Sequence, residues 1–379
     1  MKENENITPL WSAVWAMSLC AMVLVASEFM PVSLLTPLAT DLIITEGYAG
    51  QSISISGLFA LVTSLFLTSI IGHTNRRTVL LFFTILMGIS GIVVANAPNA
   101  MILMIGRALL GICIGGFCSM SAATIMRLVP SRLVPKALAI LNGGNALSTM
   151  IAASLGSFLG GIIGWRGAFF CIVPIAIIAF IWLYKSMPSL PSRHTYGHRP
   201  KLSSVFKLLK QWKVTLGMLS TMLFFMGQFA LFTYLRPFLE TQTKVDFEML
   251  SLILLVMGIG GLIGTFIIGD ILKTRLYSLL IIIPFLMMLI VIGLIYFAHS
   301  VIVIFLLMAL WGFLGTSAPV AWWTWLSKVL PHEAEAGGGL MVAIIQLAIT
   351  LGAAFGGLLF DIYGFESTFV FSAMILAMA

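Results

Sequence analysis

The chain has 379 residues, of which 60% are hydrophobic and only 9% are charged, and its net charge is +7. A soluble globular domain carries roughly 25% charged residues, so this composition excludes an ordinary soluble protein. The apolar runs are continuous and about 20 residues long, which is typical of membrane-spanning helices and not of the short alternating strands of a β-barrel. The composition therefore predicts an all-α integral membrane protein.

The apolar runs predict twelve spans, near residues 11–38, 49–71, 78–97, 100–125, 135–160, 166–187, 213–239, 247–269, 276–297, 299–326, 335–360 and 364–379. The first run follows a polar N-terminus without net positive charge, and we expect it to remain as an uncleaved span. The last run is short for a full crossing, so we expect the twelfth helix to be incomplete.

The positions of the basic residues predict the orientation of these spans. If the N-terminus is cytoplasmic, 16 of the 20 Lys and Arg residues lie in inner loops or at inner helix ends. Positive charge accumulates on the cytoplasmic side of membrane proteins, so both termini are expected in the cytoplasm, in a bacterial inner membrane. This arrangement accounts for a pI near 9.4 without a nucleic-acid partner. The lipid bilayer is the expected partner instead.

The longest polar stretch divides the chain into two six-helix bundles. We expect an N-terminal bundle over residues 1–187, a basic cytoplasmic linker over 188–212 that lies partly on the anionic inner leaflet, and a C-terminal bundle over 213–379. The glycine pair in FLGGIIGW recurs in FGGLLFDI at an offset of 196 residues, as Gly160–Gly161 and Gly356–Gly357. A repeat of this kind is typical of duplicated transporter folds.

Two charges lie inside the predicted spans. Glu28 falls within span one and Arg107 within span four. A charge at the centre of a bilayer costs at least about 2.5–3.5 kcal/mol, so such residues usually face a bundle interior or a wet cavity. We expect Glu28 and Arg107 to pair at matched depth, and protonation of the acid to release the pair. The alternative for Glu28 is a structural role at a helix end or in a buried hydrogen bond.

Motifs for other activities are missing from the sequence. The four cysteines form no Cys-x-x-Cys pair, and no His/Cys spacing indicates a metal site. No Walker loop, Ser/His/Asp set or paired carboxylates occur, so the chain is not expected to be an enzyme. We expect no cofactor, and a proton gradient as the energy source.

Several motifs together resemble the major facilitator superfamily, over essentially the whole chain. Arg107, Gly111 and Gly115 resemble its span-four motif, whose arginine is associated with proton transfer in drug:proton antiporters. Further matches lie at Gly143 and Gly144, which resemble the span-five antiporter motif, at Arg77 in the span two–three loop, and at Asp270, in a partial copy of that loop. The resemblance implies two pseudo-symmetric six-helix bundles that move by alternating access. It also gives these glycines, Arg77 and Asp270 gating or packing roles.

Three longer segments resemble the AraJ-like efflux group, and within that group they are most similar to purine ribonucleoside efflux pumps. The segments are SEFMPVSLLTPLATDL, GQFALFTYLRPF and IIQLAITLGAAFGG. This implies proton-coupled export of inosine- or guanosine-like nucleosides. Export of arabinose-like sugars or small amphipathic drugs is the alternative within the same fold. A facilitative pore or a non-transporting membrane receptor is the alternative outside it.

A purine needs a flat apolar slot, amides for its edge and neutral hydrogen-bonding groups for the ribose. In the spans that line the central cavity of this fold, the residues that fit these needs are Gln228, Gln346, Asn145, Tyr234, Trp311 and Phe229. A helix–helix hydrogen bond is an equally good account of each glutamine. Arg236, at the end of span seven, is expected to extend to the lipid headgroups. We expect a monomer that acts on a small-molecule substrate.

Overall fold

The structure is a computed structural model that describes residues 10–71, 74–130, 133–191, 208–330 and 334–379. Within these ranges it describes the backbone but not the side chains of residues 68–71, 135, 142, 143, 146, 149, 150, 270, 273 and 334–336. The described residues form helices and no strands, which confirms the predicted all-α class.

The first half consists of six helices. They are α1 (Trp11–Leu42), α2 (Glu46–Ile71), α3 (Arg76–Ala95), α4 (Ala100–Leu128), α5 (Val134–Phe170) and α6 (Ile172–Ser186). Two of them begin at asparagine caps. The side chain of Asn75 accepts the N–H of Arg77 at 3.0 Å, and that of Asn99 accepts the N–H of Ile102 at 3.0 Å. Each cap satisfies one of the free N–H groups at a helix start.

The described part of the second half contains four long helices, a short helical segment that includes a π-helical turn, and a final helix of 14 residues. Its elements are α7 (Trp212–Thr233), α8 (Leu235–Phe238), a π-helical turn (Leu239–Thr243), α9 (Phe247–Tyr296), α10 (Val301–Val329), α11 (Ala334–Tyr363) and α12 (Phe365–Met378). Asp246 caps α9 by accepting the N–H of Met249 at 2.9 Å.

Every predicted span corresponds to a helix. Ten segments of the described residues are long and apolar enough to cross a membrane. One of them, Ile151–Ser186, covers the end of predicted span five and span six, and the twelfth helix, Phe365–Met378, is shorter. Helices α5 and α9 each contain one non-helical residue, Gly164 and Arg275. These kinks fall in the predicted breaks between spans five and six and between spans eight and nine, which confirms both breaks.

Backbone geometry supports the internal repeat. Gly164 and Gly364 lie 200 residues apart and have nearly the same dihedrals, φ 75° with ψ 165° and φ 80° with ψ −177°. This region is open essentially to glycine alone. Ile43 after α1 and Lys244 after the π-helical turn, 201 residues apart, are both left-handed. The structural offset therefore exceeds the 196 residues between the glycine pairs by about one helical turn.

The buried apolar side chains form two clusters. One draws almost entirely on residues before 191 and the other mainly on residues after 208. This distribution is what two bundles would produce. Most of the predicted linker, residues 192–207, lies outside the described part of the chain, so the division at 188–212 stays a prediction.

The two halves are hydrogen-bonded to each other towards the end of the molecule where α1 meets α2, here called the α1–α2 end. Asp361 on α11 accepts the hydroxyl of Thr45 at 2.6 Å and the backbone N–H of Gly47 at 2.9 Å. The amide of Gln51 donates to the carbonyl of Ala354 at 3.3 Å, and Arg236 donates to the carbonyl of Ser33. Among the described residues, the hydrogen bonds of 3.5 Å or less between the halves lie in this region, so the α1–α2 end is closed.

Candidate functional site

Glu28 lies near the middle of α1, about 26 Å along the helix axis from Trp11 and about 21 Å from Leu42. Its side chain is buried, with 5% of the residue exposed. One carboxyl oxygen, Oε1, has no hydrogen-bond partner in the described structure. A buried oxygen without a donor costs about 1–3 kcal/mol, and more if it carries charge. Glu28 therefore carries an unfilled acceptor at mid-membrane depth.

Arg107 on α4 is fully buried and joins three helices of the first half. Its guanidinium donates to four oxygens, namely the carbonyls of Ser27 (2.7 Å), Glu28 (2.9 Å) and Ser52 (3.1 Å) and the hydroxyl of Ser56 (3.0 Å). Several oriented oxygen acceptors can stabilise a buried guanidinium without a carboxylate. Arg107 and Glu28 are thus neighbours, as predicted.

The predicted ion pair itself is not formed. Among the described residues the ion pairs within 4.0 Å join Arg166 with Asp41 and Arg236 with Glu240. Arg107 contacts the backbone of Glu28 and not its carboxyl group, because the four neutral oxygens already fix the orientation of the guanidinium. The carboxyl group is consequently free to interact with a different partner.

That partner comes from the second half. The side-chain amide of Gln346 on α11 lies next to the Glu28 carboxyl group, although no hydrogen bond of 3.5 Å or less joins the two groups. Gln346 is 6% exposed, and its own Oε1 has no partner in the described structure. At this level α11 packs closely on α2, since a Cβ built on Gly57 would lie 3.2 Å from the backbone oxygen of Gln346. Two unfilled acceptors therefore lie close together where the halves meet.

An aromatic cluster also connects the halves. Phe29 on α1 stacks on Phe229 of α7 with ring centroids 5.5 Å apart, and Phe232 packs edge-on against both rings, at 6.2 Å from Phe29 and 5.9 Å from Phe229. Such pairs are stabilising and present flat apolar faces. The sequence analysis selected Phe229 but not Phe29; the position of Phe29 directly after Glu28 was the available signal.

Two further amides predicted at the site have unfilled acceptors. Gln228 on α7 donates to the carbonyl of Gly315 at 3.5 Å, a long hydrogen bond, and its Oε1 has no partner in the described structure. Asn145 on α5 has an unpartnered Oδ1. Gln228 is adjacent in sequence to Phe229, one of the rings of the aromatic cluster. These amides stay candidates for contact with a polar ligand.

The structure places Tyr234 and Trp311 elsewhere. Tyr234 is buried at the α1–α2 end, where its hydroxyl donates to the carbonyl of Ala353 at 2.8 Å and its ring stacks on Phe360 at 5.3 Å. Tyr234 therefore lies at the contact between the two halves and not beside Glu28. Trp311 is 1% exposed and belongs to the apolar core of the second half. Its ring therefore has no free face for stacking.

Arg236 and Asp361 form contacts that the sequence did not predict. Arg236 is buried and pairs with Glu240 at 2.7 Å, so it does not extend to the lipid headgroups as expected. The reason is local, because the π-helical turn after α8 brings Glu240 back over the guanidinium. Asp361 had no sequence signal beyond an acid near a helix end.

Three of the predicted packing glycines lie where helices approach closely. A Cβ on Gly111 would meet the backbone of Ser56, one on Gly115 that of Ala60, and one on Gly144 the hydroxyl and backbone of Ser18. Contacts of this kind are typical of small residues in membrane helices. The surroundings of Gly143 and the side chain of Asp270 lie outside the described part of the structure.

Within the described part of the chain, Arg77 contacts its own half, through a hydrogen bond to the carbonyl of Tyr184 at 2.8 Å and a cation–π contact with the Tyr184 ring at 5.1 Å. Among the described residues no group of three or more His, Cys, Asp and Glu side chains is placed to hold a metal ion.

Two helical halves that meet around a buried carboxyl group define the class of membrane transporters built from two bundles. The chain matches the Major Facilitator Superfamily over residues 17–352, and it belongs to that family.

Two curated relatives are similar over nearly the full length. The "Transcription regulatory protein OpdE" of Pseudomonas aeruginosa is 54% identical over 377 residues, covering 100% of this chain and 94% of the relative. The "Purine ribonucleoside efflux pump NepI" of Salmonella enteritidis is 41% identical over 383 residues, covering 98% and 96%. Among solved structures, a D-xylose–proton symporter has a TM-score of 0.77 at 16% identity, covering 98% and 96% of the two chains. The predicted family and fold are confirmed.

Proposed function

We propose that this transporter exports purine ribonucleosides, of the inosine or guanosine type, in exchange for protons by alternating access. The observation that carries the proposal is the buried carboxyl group of Glu28, which lies beside Gln346 of the opposite half and has one oxygen without a hydrogen-bond partner. A titratable group at this interface can take a proton in one conformation and release it in the other.

The purine assignment is supported by the surroundings of Glu28 and by one relative. The 41% identical relative is named a purine ribonucleoside efflux pump. Phe29, Phe229 and Phe232 present aromatic surface near Glu28, and the unfilled amide oxygens of Gln228 and Asn145 are acceptors for nucleoside N–H or O–H groups. Neutral hydrogen-bonding groups and flat rings suit an uncharged nucleoside.

The orientation completes the proposal. With 16 of 20 basic residues on the side of the termini, the protein lies in the inner membrane with both termini in the cytoplasm. The closed α1–α2 end then faces outwards, so the structure corresponds to a state that loads substrate from the cytoplasm. The transporter acts as a monomer without a bound cofactor, and the proton gradient drives export.

Transport in inverted vesicles tests the assignment. We expect labelled inosine, and not arabinose, to accumulate when the vesicle interior is acidic and to be released by an uncoupler. Glu28→Gln should abolish this pH-driven uptake while inosine exchange survives, because the amide cannot carry the proton. Glu248→Gln, an exposed glutamate at the start of α9, is the matched control and should transport normally. Normal pH-driven uptake by Glu28→Gln would remove Glu28 as the proton carrier.

A second candidate function is a membrane receptor that acts on transcription. It is favoured by the name of the 54% identical relative, a transcription regulatory protein. The same vesicles separate the two functions, since a receptor would show no saturable inosine flux under any gradient. Accumulation of arabinose in place of inosine would instead move the assignment to sugar export.

A further inference from the structure

The most unusual feature outside the motifs is a pair of neighbouring side chains from opposite halves, Glu28 and Gln346, that each carry an unfilled acceptor. Oε1 of Glu28 and Oε1 of Gln346 are both buried, both without a donor in the described structure, and held by opposite halves. Buried oxygens in membrane proteins are normally satisfied. A single hydrogen-bond donor placed between these side chains would satisfy both halves at once.

Two donors are available in the proposed cycle. A proton on Glu28 turns its carboxyl group into a donor, and the O–H can then bond to Oε1 of Gln346. A substrate N–H can fill the same acceptor when Glu28 is deprotonated. The amide oxygen has two lone pairs, so the exclusion requires both donors to approach it from the side of Glu28. A Glu28 O–H bonded there occupies the space that the substrate N–H needs, and the proton and the substrate then exclude each other.

We propose that Gln346 determines specificity by reading the lactam edge of a 6-oxopurine, and that a proton on Glu28 competes with the substrate for the same Gln346 oxygen. This inference rests on the proposed function and deepens it. A primary amide matches a lactam in two hydrogen bonds: its Oε1 accepts the purine N1–H, and its N–H₂ donates to the purine O6. Glutamine pairs with base edges elsewhere by the same two-bond geometry.

Few titratable side chains can influence the competition between the proton and the substrate. The titratable side chains that interact with Glu28 in the described structure are Arg107 and Cys118, both on α4. Arg107 is held by four oxygen acceptors and stays charged, so it does not exchange the proton. Acidification therefore acts through Glu28, and inosine binding should weaken as pH falls in the wild type but not in Glu28→Gln.

The test compares inosine with 1-methylinosine, which lacks the N1–H donor and keeps the rest of the base. Exchange is measured in liposomes without a proton gradient, so coupling does not enter. We expect the wild type to prefer inosine by about tenfold or more, because the methylated base leaves the Gln346 oxygen unfilled. In Gln346→Met, which keeps the length of the side chain, the preference should fall to within about twofold.

Control variants keep the result interpretable. Gln211→Met changes an exposed glutamine at the start of α7 whose side chain makes no cap hydrogen bond, and it should leave the preference for inosine unchanged. Gln346→Leu repeats the main test, and thermal unfolding in detergent confirms that each variant is folded.

The outcomes separate the inference from the proposed function. Equal exchange of the two nucleosides by the wild type, a preference retained in folded Gln346→Met, or equal loss of both substrates in that variant would overturn the inference and leave purine export standing. A wild type that exchanges no purine nucleoside would overturn the proposed function, and the inference with it.

Discussion

At the scale of single residues, Arg107 shows how a membrane protein accommodates a full charge without an ion pair. Its four oxygen partners come from α1 and α2, so one side chain of α4 fixes the register of both neighbours. Planar guanidinium geometry suits this task, whereas the ammonium group of lysine concentrates its donors at one point. Arg107 thereby also holds the backbone on which Glu28 is carried.

We therefore predict that Arg107→Lys lowers the free energy of unfolding by about 1.5–3 kcal/mol, the range for hydrogen bonds to charged groups. Thermal unfolding of the purified protein in detergent measures the change. Arg76→Lys is the matched control, since the hydrogen bond recorded at Arg76 is made by its backbone N–H to Leu190. If both variants unfold like the wild type, the four contacts of Arg107 contribute no net stability.

Residues also mark the limit of what the sequence predicts. The sequence identified Glu28 and Arg107 because a charged side chain inside an apolar run is costly in a membrane, however the helix packs. Two contacts depend on the relative rotation of helices from different halves. They are the position of Glu28 beside Gln346 and the stacking of Phe29 on Phe229. No local pattern encodes that rotation, so these contacts appear only in the structure.

At the scale of elements, the two turns at Gly164 and Gly364 connect long helices with a single residue each. Both have positive φ with ψ near 180°, a combination that a Cβ makes unfavourable. Apolar length predicted the helices on either side. The predicted break at residues 161–165 contains Gly164, whereas Gly364 falls on the first residue of predicted span twelve, because a one-residue turn leaves no polar loop in the sequence.

We predict that Gly164→Ala and Gly364→Ala each destabilise the protein by about 1–3 kcal/mol through backbone strain alone, since neither site crowds a Cβ. Gly269→Ala is the control, because that site also has room and lies within helix α9 without positive φ. Chemical or thermal unfolding measures the free energy of unfolding of the two turn variants and of the Gly269→Ala control. A destabilised Gly269→Ala with unaffected turn variants would contradict the strain argument.

At the scale of the whole molecule, the α1–α2 end is where the halves hold each other. Asp361 of the second half accepts both the Thr45 hydroxyl and the Gly47 N–H, so it helps to cap α2 of the first half. Tyr234 adds a buried hydroxyl bonded to Ala353, with a longer contact of 3.4 Å to the Gly47 carbonyl. If the halves rock, these contacts must break at each turn of the cycle.

A disulfide across this end tests that requirement. The side-chain oxygens of Thr45 and Asp361 are 2.6 Å apart, so the double variant Thr45→Cys with Asp361→Cys should cross-link under mild oxidation. We expect inosine export to stop on oxidation and to return with a reducing agent. Each single cysteine variant serves as a control that should not respond. Export that continues while the cross-link is complete would exclude opening at this end.

The cap that Asp361 provides has a consequence for the energy balance of the cell. A cap of this type stabilises a helix by about 0.5–2 kcal/mol, which favours the capped arrangement by roughly twofold to thirtyfold. If the chain is the proton-coupled exporter proposed above, with the α1–α2 end outside, idling open on that side would expose Glu28 to the acidic face of the membrane. An exporter that rests shut there would avoid a futile proton leak, and its expression could rise without draining the respiratory chain.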